Sequence, residues 1–414
     1  MTGGAGPTRK YLPAAPAPLD SAPTPEPSVR EATAERDEEY VPVSPAGAEL
    51  QALIRRPIGE RQPAGYEREF LERYAPGKTW YLPRELRERL HRIGRTPDGE
   101  RPAGTFARDI YGRLLIDLAW ASSRLEGNTY TRLDTQNLIE FGQRAEGKDA
   151  EDAQMILNHK AAIELIVEDA EHVGFDRHTL LGLHSALSEN LLGDPRDEGR
   201  LRNRPVLVTG TPFVPIAIPQ VIEDCFALLL EKAGEIPDPF EQAFFAMVHI
   251  PYLQPFADVN KRTSRLAANI PLVKENLCPL SFVDVPERAY VEGTLAVYEL
   301  TRVELLRDVF AWAYERSCAR YKVVRDSMVQ PDPLRLRYRN ELAEVVRETV
   351  LALAPPRLES LRAAGQAQGV PAGDVPGFAE RALELLLSLH EGNAGRYRLR
   401  PSEYSQWRSQ FTGA

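Results

Sequence analysis

Apolar residues recur three and four positions apart along most of this chain, the spacing of helices that bury one face. The stretch Ala107–Glu126 shows it best, with Ile110, Leu114 and Leu118 on one side. The same spacing predicts further helices at Arg84–Ile93, Asp134–Phe141, Ala150–Glu168, Arg177–Leu192, Pro219–Ala233, Pro239–Tyr252, Thr263–Glu275 and, in two pieces, Pro286–Arg320. These patterns predict an all-α fold.

The pattern changes in Pro205–Pro215, where β-branched and apolar residues flank Gly210. Such a segment predicts two short strands joined at the glycine. The main body is therefore expected to be helical with one short β-hairpin.

Composition divides the chain into parts. Residues from Thr2 to about Ala48 are rich in Pro, Ala, Gly and Glu and hold few large apolar side chains, so they cannot offset their ordering entropy. Pro331 and Pro333 mark a later boundary, after which helical patterns return. The predicted parts are a disordered tail (1–48), a small N-terminal lobe (49–104), a main domain (105–330) and a C-terminal helical region (331–414) with helices at Leu334–Leu353 and Gly377–His390.

Charge and composition narrow the class of protein. The 414 residues are 43% hydrophobic and 27% charged, as in ordinary globular proteins. A net charge of −9 argues against a general nucleic-acid surface, and the longest apolar runs fall far short of a bilayer span. The start of the chain lacks the apolar core of a secretory signal. We expect a cytoplasmic protein that binds neither nucleic acid nor membrane; homo-oligomerisation stays open.

The polar loop Gln254–Arg265 carries the candidate chemistry. It opens a helix, whose first N–H groups and dipole attract anions. Arg262 and Arg265 are three apart and share one face, so their guanidinium groups suit a polyphosphate. Asp258 supplies an oxygen ligand for Mg²⁺, and Asn260 a hydrogen bond to a phosphate oxygen. Basic residues in a helix's first turn are also common on solvated surfaces, so the residues alone leave both interpretations open.

The whole loop resembles the signature of the Fic/Doc (Fido) family, His-x-Phe-x-Asp/Glu-Gly-Asn-Gly/Lys-Arg-x-x-Arg. The matching residues are Phe256, Asp258, Asn260, Lys261, Arg262 and Arg265. Pro205–Ala217 resembles the family's flap hairpin, Ser122-Ser-Arg-Leu-Glu-Gly127 the motif of its inhibitory helix, and Gly199-Arg-Leu-Arg202 the approach to the flap. The resemblance covers about Phe106–Tyr321 and implies a Fic-type helical bundle with a short hairpin flap.

The resemblance implies an enzyme that binds ATP and Mg²⁺ and transfers AMP to a hydroxyl group of a protein or small molecule. Carried over by position, Asp258 holds the metal and Asn260 the α-phosphate. Arg262 faces the β-phosphate and Arg265 the γ-phosphate, while Lys261 either adds phosphate charge or faces solvent.

The resemblance also implies regulation and target docking. Ser122 and Glu126 fall on an inhibitory helix near residues 107–127, where Glu126 pairs with Arg265 and blocks placement of the γ-phosphate. The flap docks a protein target by strand addition. The flap residues are Val206, Leu207, Val208, Thr209, Gly210 and Thr211.

The chain departs from the family pattern at the catalytic position, where Gln254 replaces the histidine that serves as general base. An amide cannot accept that proton, and losing a base costs on the order of 10²–10⁴-fold in rate. His249 is a poor substitute because five helical residues turn it about 140° away. His159 and His184 receive no role. Gln254 either leaves the reaction without its base or positions a substrate through its amide, and the otherwise complete loop favours the second interpretation.

Other departures keep three functions open. Val259 replaces a small residue, which puts close approach of the backbone to phosphate in question. Lys261 is shared with the Doc branch, whose members transfer a phosphoryl group. The functions are AMP transfer with altered or weakened chemistry, a catalytically inactive nucleotide-binding regulatory module, and Doc-like phosphoryl transfer. The retained arginines and Glu126 favour an enzyme, because an inactive site needs no inhibitory carboxylate. Tyr290 and Tyr298 are assigned to the core.

Overall fold

The computed structural model describes residues 41–95, 102–327 and 332–410. Most of the predicted tail therefore lies outside the described residues, but its last residues begin the helix Pro45–Ile54. Contacts divide the chain into two compact units, residues 1–325 and 326–414. Within the described ranges no helix has the length and apolarity needed to cross a membrane.

The first unit is a helical bundle, which confirms the all-α class. Its helices are α1 Pro45–Ile54, α2 Arg68–Glu72, α3 Arg84–Gly94, α4 Thr105–Asp109, α5 Tyr111–Arg124, α6 Arg132–Phe141, α7 Ala150–Glu168, α8 Arg177–Ser188, α9 Pro219–Glu235, α10 Pro239–Leu253, α11 Asn260–Ala267, α12 Asn269–Lys274, α13 Glu287–Leu300 and α14 Glu304–Ser327. Two short strands, β1 Ala64–Gly65 and β2 Phe213–Val214, pair in parallel.

The centre of the bundle is α10, which is buried on all sides. Aromatic residues such as Phe240, Phe244 and Phe245 are fully buried along it. Its Glu241 accepts hydrogen bonds from the N–H groups of Tyr81 and Leu82 at 2.6 and 2.9 Å. This buried carboxylate satisfies loop donors of the N-terminal lobe, and so ties the lobe to the helix that precedes the candidate loop.

Two predicted helices of the first unit are divided in the structure, as Leu334–Leu353 of the second unit is at Tyr338. Ala107–Glu126 is interrupted at Ile110, which adopts φ −104° and ψ 14° instead of helical angles. Thr263–Glu275 is two helices, α11 and α12, and α11 begins earlier, at Asn260. After the break at Ile110, α5 carries Ser122, but Glu126 lies in the turn that follows α5 and not on the helix as predicted.

The predicted flap hairpin differs from the observed segment. Residues 205–212 form no strand. The strand β2 pairs instead with β1 of the N-terminal lobe, where Ala64 lies opposite Phe213. Pro212 and Pro215 flank β2 and lack N–H donors, so the flap has few groups with which to build a second strand. Gly210 makes the predicted turn, with φ 77°.

The second unit has its own core, in which Trp407, Phe378 and Val346 are buried. The Trp407 indole donates to the carbonyl of Ala354 at 2.9 Å. Its helices are α15 Pro333–Arg337, α16 Arg339–Leu351, α17 Leu358–Ala367, α18 Val375–Leu387, α19 Glu391–Ala394 and α20 Pro401–Ser409.

Candidate functional site

The loop between α10 and α11 is closed by one buried amide. Asn260 accepts the N–H of Phe256 at 2.9 Å and donates to the Phe256 carbonyl at 3.0 Å and to Gln254 Oε1 at 2.9 Å. Val259 begins α11 with φ 64°, a left-handed conformation that is strained for a β-branched residue. The loop is therefore a tight, internally bonded turn in which the Asn260 amide is already used.

Gln254 occupies the position of the family's histidine and is bonded to protein groups at both ends of its amide. Its Nε2 donates to the carbonyl of Pro251 at 2.7 Å and to the Tyr298 hydroxyl at 3.1 Å. Its Oε1 accepts from Asn260. The amide holds the loop against α13 and offers no basic nitrogen. Because both of its ends are bonded to protein groups, the structure favours loss of the base over the substrate-positioning role that the sequence favoured.

The Arg202 side chain links this loop to the flap. Its Nε donates to the Gln254 carbonyl at 2.6 Å, and its Nη2 donates to the carbonyl of Ile216. A single buried guanidinium thus fixes the end of the flap beside the Gln254 position.

Arg265 is fully buried beneath the end of α5. Its Nε donates to Ser122 Oγ at 3.0 Å, and its Nη2 donates to the Ser122 carbonyl at 3.0 Å and to Glu126 Oε1 at 2.7 Å. The other Glu126 oxygen lies 2.9 Å from Lys261 Nζ. Lys261, for which the sequence left phosphate or solvent open, is therefore paired with the same carboxylate as Arg265.

Two cations hold Glu126 ionised. Burial by itself would raise the pKa of this carboxyl, but Arg265 and Lys261 overcome that effect and lower it below the usual range. In this structure the carboxylate occupies guanidinium and ammonium donors that an anionic ligand would need.

The buried charge of Arg262 is less closely balanced by an acidic group than the charge of Arg265 is. Its side chain is about nine-tenths buried, and the nearest acidic oxygen, Asp258 Oδ2, is 4.0 Å away. Burial lowers the pKa of its guanidinium. Nη1 of Arg262 and Nη1 of Arg265 are both buried, and neither has a hydrogen-bond partner within the described part of the chain. Buried charged donors without partners are costly, and phosphate oxygens are acceptors that suit guanidinium groups.

Asp258 has the exposure that a metal ligand in this site requires. Its side chain is 72% exposed, and Oδ1 accepts the N–H of Val259 at 2.6 Å. No group of three potential metal ligands occurs among residues 41–95, 102–327 and 332–410. Mg²⁺ usually takes one or two carboxylates together with substrate phosphates, so one exposed carboxylate fits a metal that arrives with a nucleotide.

Two buried histidines support the site, although sequence reasoning assigned them no role. His184 stacks on Phe256 at 3.9 Å, accepts the N–H of Gly199 at 3.0 Å, and donates to the carbonyl of Asp258 at 3.3 Å. Burial lowers the pKa of His184 to about 4, so the ring is neutral at pH 7. Both ring nitrogens are therefore used in positioning the loop.

His159 is the second of these histidines, and it positions the Ser122 side chain. Its Nδ1 donates to the carbonyl of Met155 at 2.8 Å, so Nε2 accepts the Ser122 hydroxyl at 2.9 Å, and the Ser122 oxygen in turn accepts from Arg265. Burial lowers the pKa of His159 to about 3. His249 is remote from this chain of bonds and contacts the Tyr81 hydroxyl at 2.8 Å. No local sequence pattern separates these three histidines from ordinary core residues.

The two tyrosines that the sequence assigned to the core also touch the site. Tyr298 is buried and accepts from Gln254, and the Tyr290 ring lies 5.1 Å from the Arg265 guanidinium. Both keep the packing role that the helical spacing predicted, while Tyr298 also orients Gln254.

The flap residues Val206, Leu207, Val208, Thr209, Gly210 and Thr211 lie in irregular backbone before β2. Leu207 is 85% exposed, whereas Thr211 donates to Glu299 Oε1 at 2.6 Å. The Gly210 carbonyl accepts Nη2 of Arg61 at 3.0 Å. Arg61 and Glu299 are distant in sequence, and sequence reasoning assigned neither to the flap.

Comparisons with known proteins find similar sequences in one family. Residues 174–272 match the model of the Fic/DOC family. Over 201 residues the chain is 27% identical to protein adenylyltransferase fic-1 of Caenorhabditis elegans. This match covers 48% of the present chain and 39% of the C. elegans protein. Over 203 residues the chain is 26% identical to protein adenylyltransferase Fic of Nematostella vectensis, covering 47% of this chain and 44% of that protein. The chain thus matches about two fifths of the length of these curated relatives.

A solved structure supports the same fold. Residues 134–508 of Fic-1 from C. elegans superpose with a TM-score of 0.50 and 20% sequence identity, covering 59% of this chain and 73% of that one. The fold and the match of residues 174–272, which include the loop Gln254–Arg265, agree: this part of the chain is similar to the Fic/DOC family.

Proposed function

We propose that this protein binds Mg-ATP at the loop Gln254–Arg265 and transfers AMP to a hydroxyl group, slowly because Gln254 replaces the general base. The observation that carries the proposal is the pair of buried, unpartnered nitrogens, Nη1 of Arg262 and Nη1 of Arg265. Buried guanidinium forks of this kind suit phosphate oxygens.

In the proposed reaction an acceptor hydroxyl oxygen attacks the α-phosphorus of ATP. The bond from that phosphorus to the bridging oxygen breaks, and pyrophosphate leaves. When bound at Asp258, Mg²⁺ supplies charge neutralisation for the phosphates. The acceptor proton passes to water, because the Gln254 amide cannot take it. Arg262 and Arg265 stabilise the charge that develops on the leaving pyrophosphate.

Glu126 holds this site in an inhibited state in the proposal. While it pairs with Arg265 and Lys261, neither cation is available to the terminal phosphate. When Glu126 leaves, Arg265 and Lys261 both become available to phosphate. The pairing of one carboxylate with both cations supports the inhibitory role of Glu126. The engagement of Lys261 with Glu126 also argues against assigning Lys261 a separate phosphoryl-transfer role.

The second candidate is a nucleotide-binding regulatory module without transfer. It is favoured by the Gln254 amide, which is bonded to Asn260, Tyr298 and Pro251, and by the engagement of both His184 nitrogens. In the described part of the site, neither residue retains a basic nitrogen for a substrate hydroxyl.

The test is labelling with α-³²P-ATP and γ-³²P-ATP, together with calorimetry of Mg-ATP binding. Glu126→Gly should bind ATP and incorporate α label on itself or an added acceptor, and the added change Arg262→Ala should abolish both. Binding without incorporation would establish the module instead. Exclusive γ label would establish phosphoryl transfer, and no ATP binding at millimolar concentration in Glu126→Gly would refute the site.

A further inference from the structure

The flap strand of this protein already has a strand partner, and that partner comes from the same chain. Ala64 lies opposite Phe213, and Gly65 lies opposite Val214, in a parallel pair. The ladder continues with the N–H of Tyr66, which donates to the Val214 carbonyl at 3.3 Å. One edge of β2 is therefore covered by β1, and the two described strands form the whole of this sheet.

A buried ion pair fastens this covering segment to the flap. Arg61 Nη1 lies 2.7 Å from Glu299 Oε1, and Arg61 Nη2 donates to the Gly210 carbonyl at 3.0 Å. The Thr211 hydroxyl donates to the same Glu299 oxygen at 2.6 Å. The Arg61 and Glu299 side chains are only 10% and 3% exposed. The flap turn is thus held through a guanidinium that a different chain could also supply.

The strand β2 is connected to the proposed reacting position. Phe213 stacks on Tyr298 with 5.0 Å between ring centroids, and the Tyr298 hydroxyl accepts from Gln254. Arg202 bonds both the Gln254 carbonyl and the Ile216 carbonyl just beyond β2. β2 and the backbone just after it are therefore connected, through Tyr298 and Arg202, to the residue that replaces the base.

We infer that Arg61–Tyr66 is an internal stand-in for the target protein, and that a target docks on β2 by displacing it. This inference rests on the proposed function, since it names the acceptor of the same site. The segment defines the partner: an extended chain parallel to β2, with two small residues opposite Phe213–Val214 and an arginine three positions before them. That arginine pairs with Glu299.

The competing account is that β1 is a permanent part of the sheet. The two accounts differ in whether the segment exchanges with an external chain. Arg61–Tyr66 itself contains no helix and lies between the anchored helices α1 and α2. Displacement requires its short ladder, the Arg61 contacts and the packing of Tyr66 on Tyr252, 4.9 Å between ring centroids, to open.

The test is binding of a fluorescein-labelled peptide with the sequence of residues 59–67, measured by anisotropy without nucleotide. Arg61→Ala leaves Glu299 buried without its cation, and the peptide arginine replaces it. We expect at least 10-fold tighter binding to Arg61→Ala than to the parent, whereas Arg56→Ala, which removes an exposed arginine nearby, should behave like the parent. A peptide with alanine for its arginine should lose the gain. Arg61→Lys, which keeps the charge and loses the second contact, should show an intermediate gain.

A reversible lock provides the second arm. Gly65→Cys with Val214→Cys, in the Arg61→Ala background, places two thiols on directly opposed residues, within the separation that a disulfide spans. The native cysteines are buried, so the new pair is the accessible one. Oxidation should abolish peptide binding, and reductant should restore it.

Equal peptide binding to the oxidised and reduced forms would overturn the inference. So would an Arg61→Ala variant that melts cooperatively, and is therefore folded, but binds the peptide no more tightly than the parent. Because the peptide is measured without nucleotide, its failure and a failure of ATP binding are separate results.

Discussion

Removing the charge of Glu126 should lower stability and raise ATP affinity together. Glu126→Gln keeps an oxygen for Arg265 but loses the charge that compensates the buried guanidinium and Lys261. A hydrogen bond to a charged group contributes about 1.5–3 kcal/mol, so we take about 2 kcal/mol as the loss. At about 2.1 cal/mol/K of unfolding entropy per residue, that corresponds to a fall in Tm of about 3 °C for a unit of this size.

The same energy opposes ATP in the parent protein, because Arg265 must leave Glu126 before it can bind phosphate. About 2 kcal/mol corresponds to about 30-fold in affinity. Calorimetry of Mg-ATP binding should show that gain in Glu126→Gln. Glu140→Gln, which removes an exposed carboxylate on α6, is the matched control and should change neither quantity.

The pH dependence gives a further check on the same pair. The pKa of Glu126 is lowered in the folded protein, so its stabilising effect is complete above the unfolded value of about 4.5 and is lost as pH falls through the folded pKa. The difference in Tm between the parent and Glu126→Gln should therefore be constant near neutral pH and shrink below about pH 4.5. Unchanged Tm and ATP affinity in Glu126→Gln would refute the assignment of Glu126 as a charge partner of Arg265.

Two further predictions concern the loop. In the Glu126→Gly background, Gln254→His should raise AMP transfer on the order of 10²-fold, measured with α-labelled ATP, because an imidazole restores a proton acceptor; no gain would favour the regulatory module. Val259→Gly should be more stable than Val259→Ala by about 1 kcal/mol in urea unfolding, since both lose the buried side chain but only glycine relieves the left-handed strain. The reverse order would show that this φ is not strained.

Much of the framework followed from local pattern. The helices Ala150–Glu168 and Pro239–Leu253 were predicted to within a residue or two, because their apolar spacing and their capping or proline signals are local. The break at Ile110 was not predicted, since the apolar stripe of Ala107–Glu126 continues across it and the dihedral change has no marker in the sequence.

The flap shows the opposite case. A run of β-branched residues around Gly210 predicted a hairpin, but β2 pairs with Ala64–Gly65. Periodicity reports which residues favour extended backbone and does not report which strand they pair with. The choice was made by the prolines of the flap and by the buried contact of Arg61 with Glu299.

By itself the sequence determined the all-α class, the polar loop Gln254–Arg265 and the residue types able to bind phosphate, because these depend on neighbours in the chain. Tertiary structure decided the rest. In the folded chain Lys261 pairs with Glu126, and His159 and His184 form hydrogen bonds that position Ser122 and the loop. The segment Arg61–Tyr66 covers one edge of β2. Such contacts join residues far apart in the chain, and only the burial of the whole core brings them within hydrogen-bond distance.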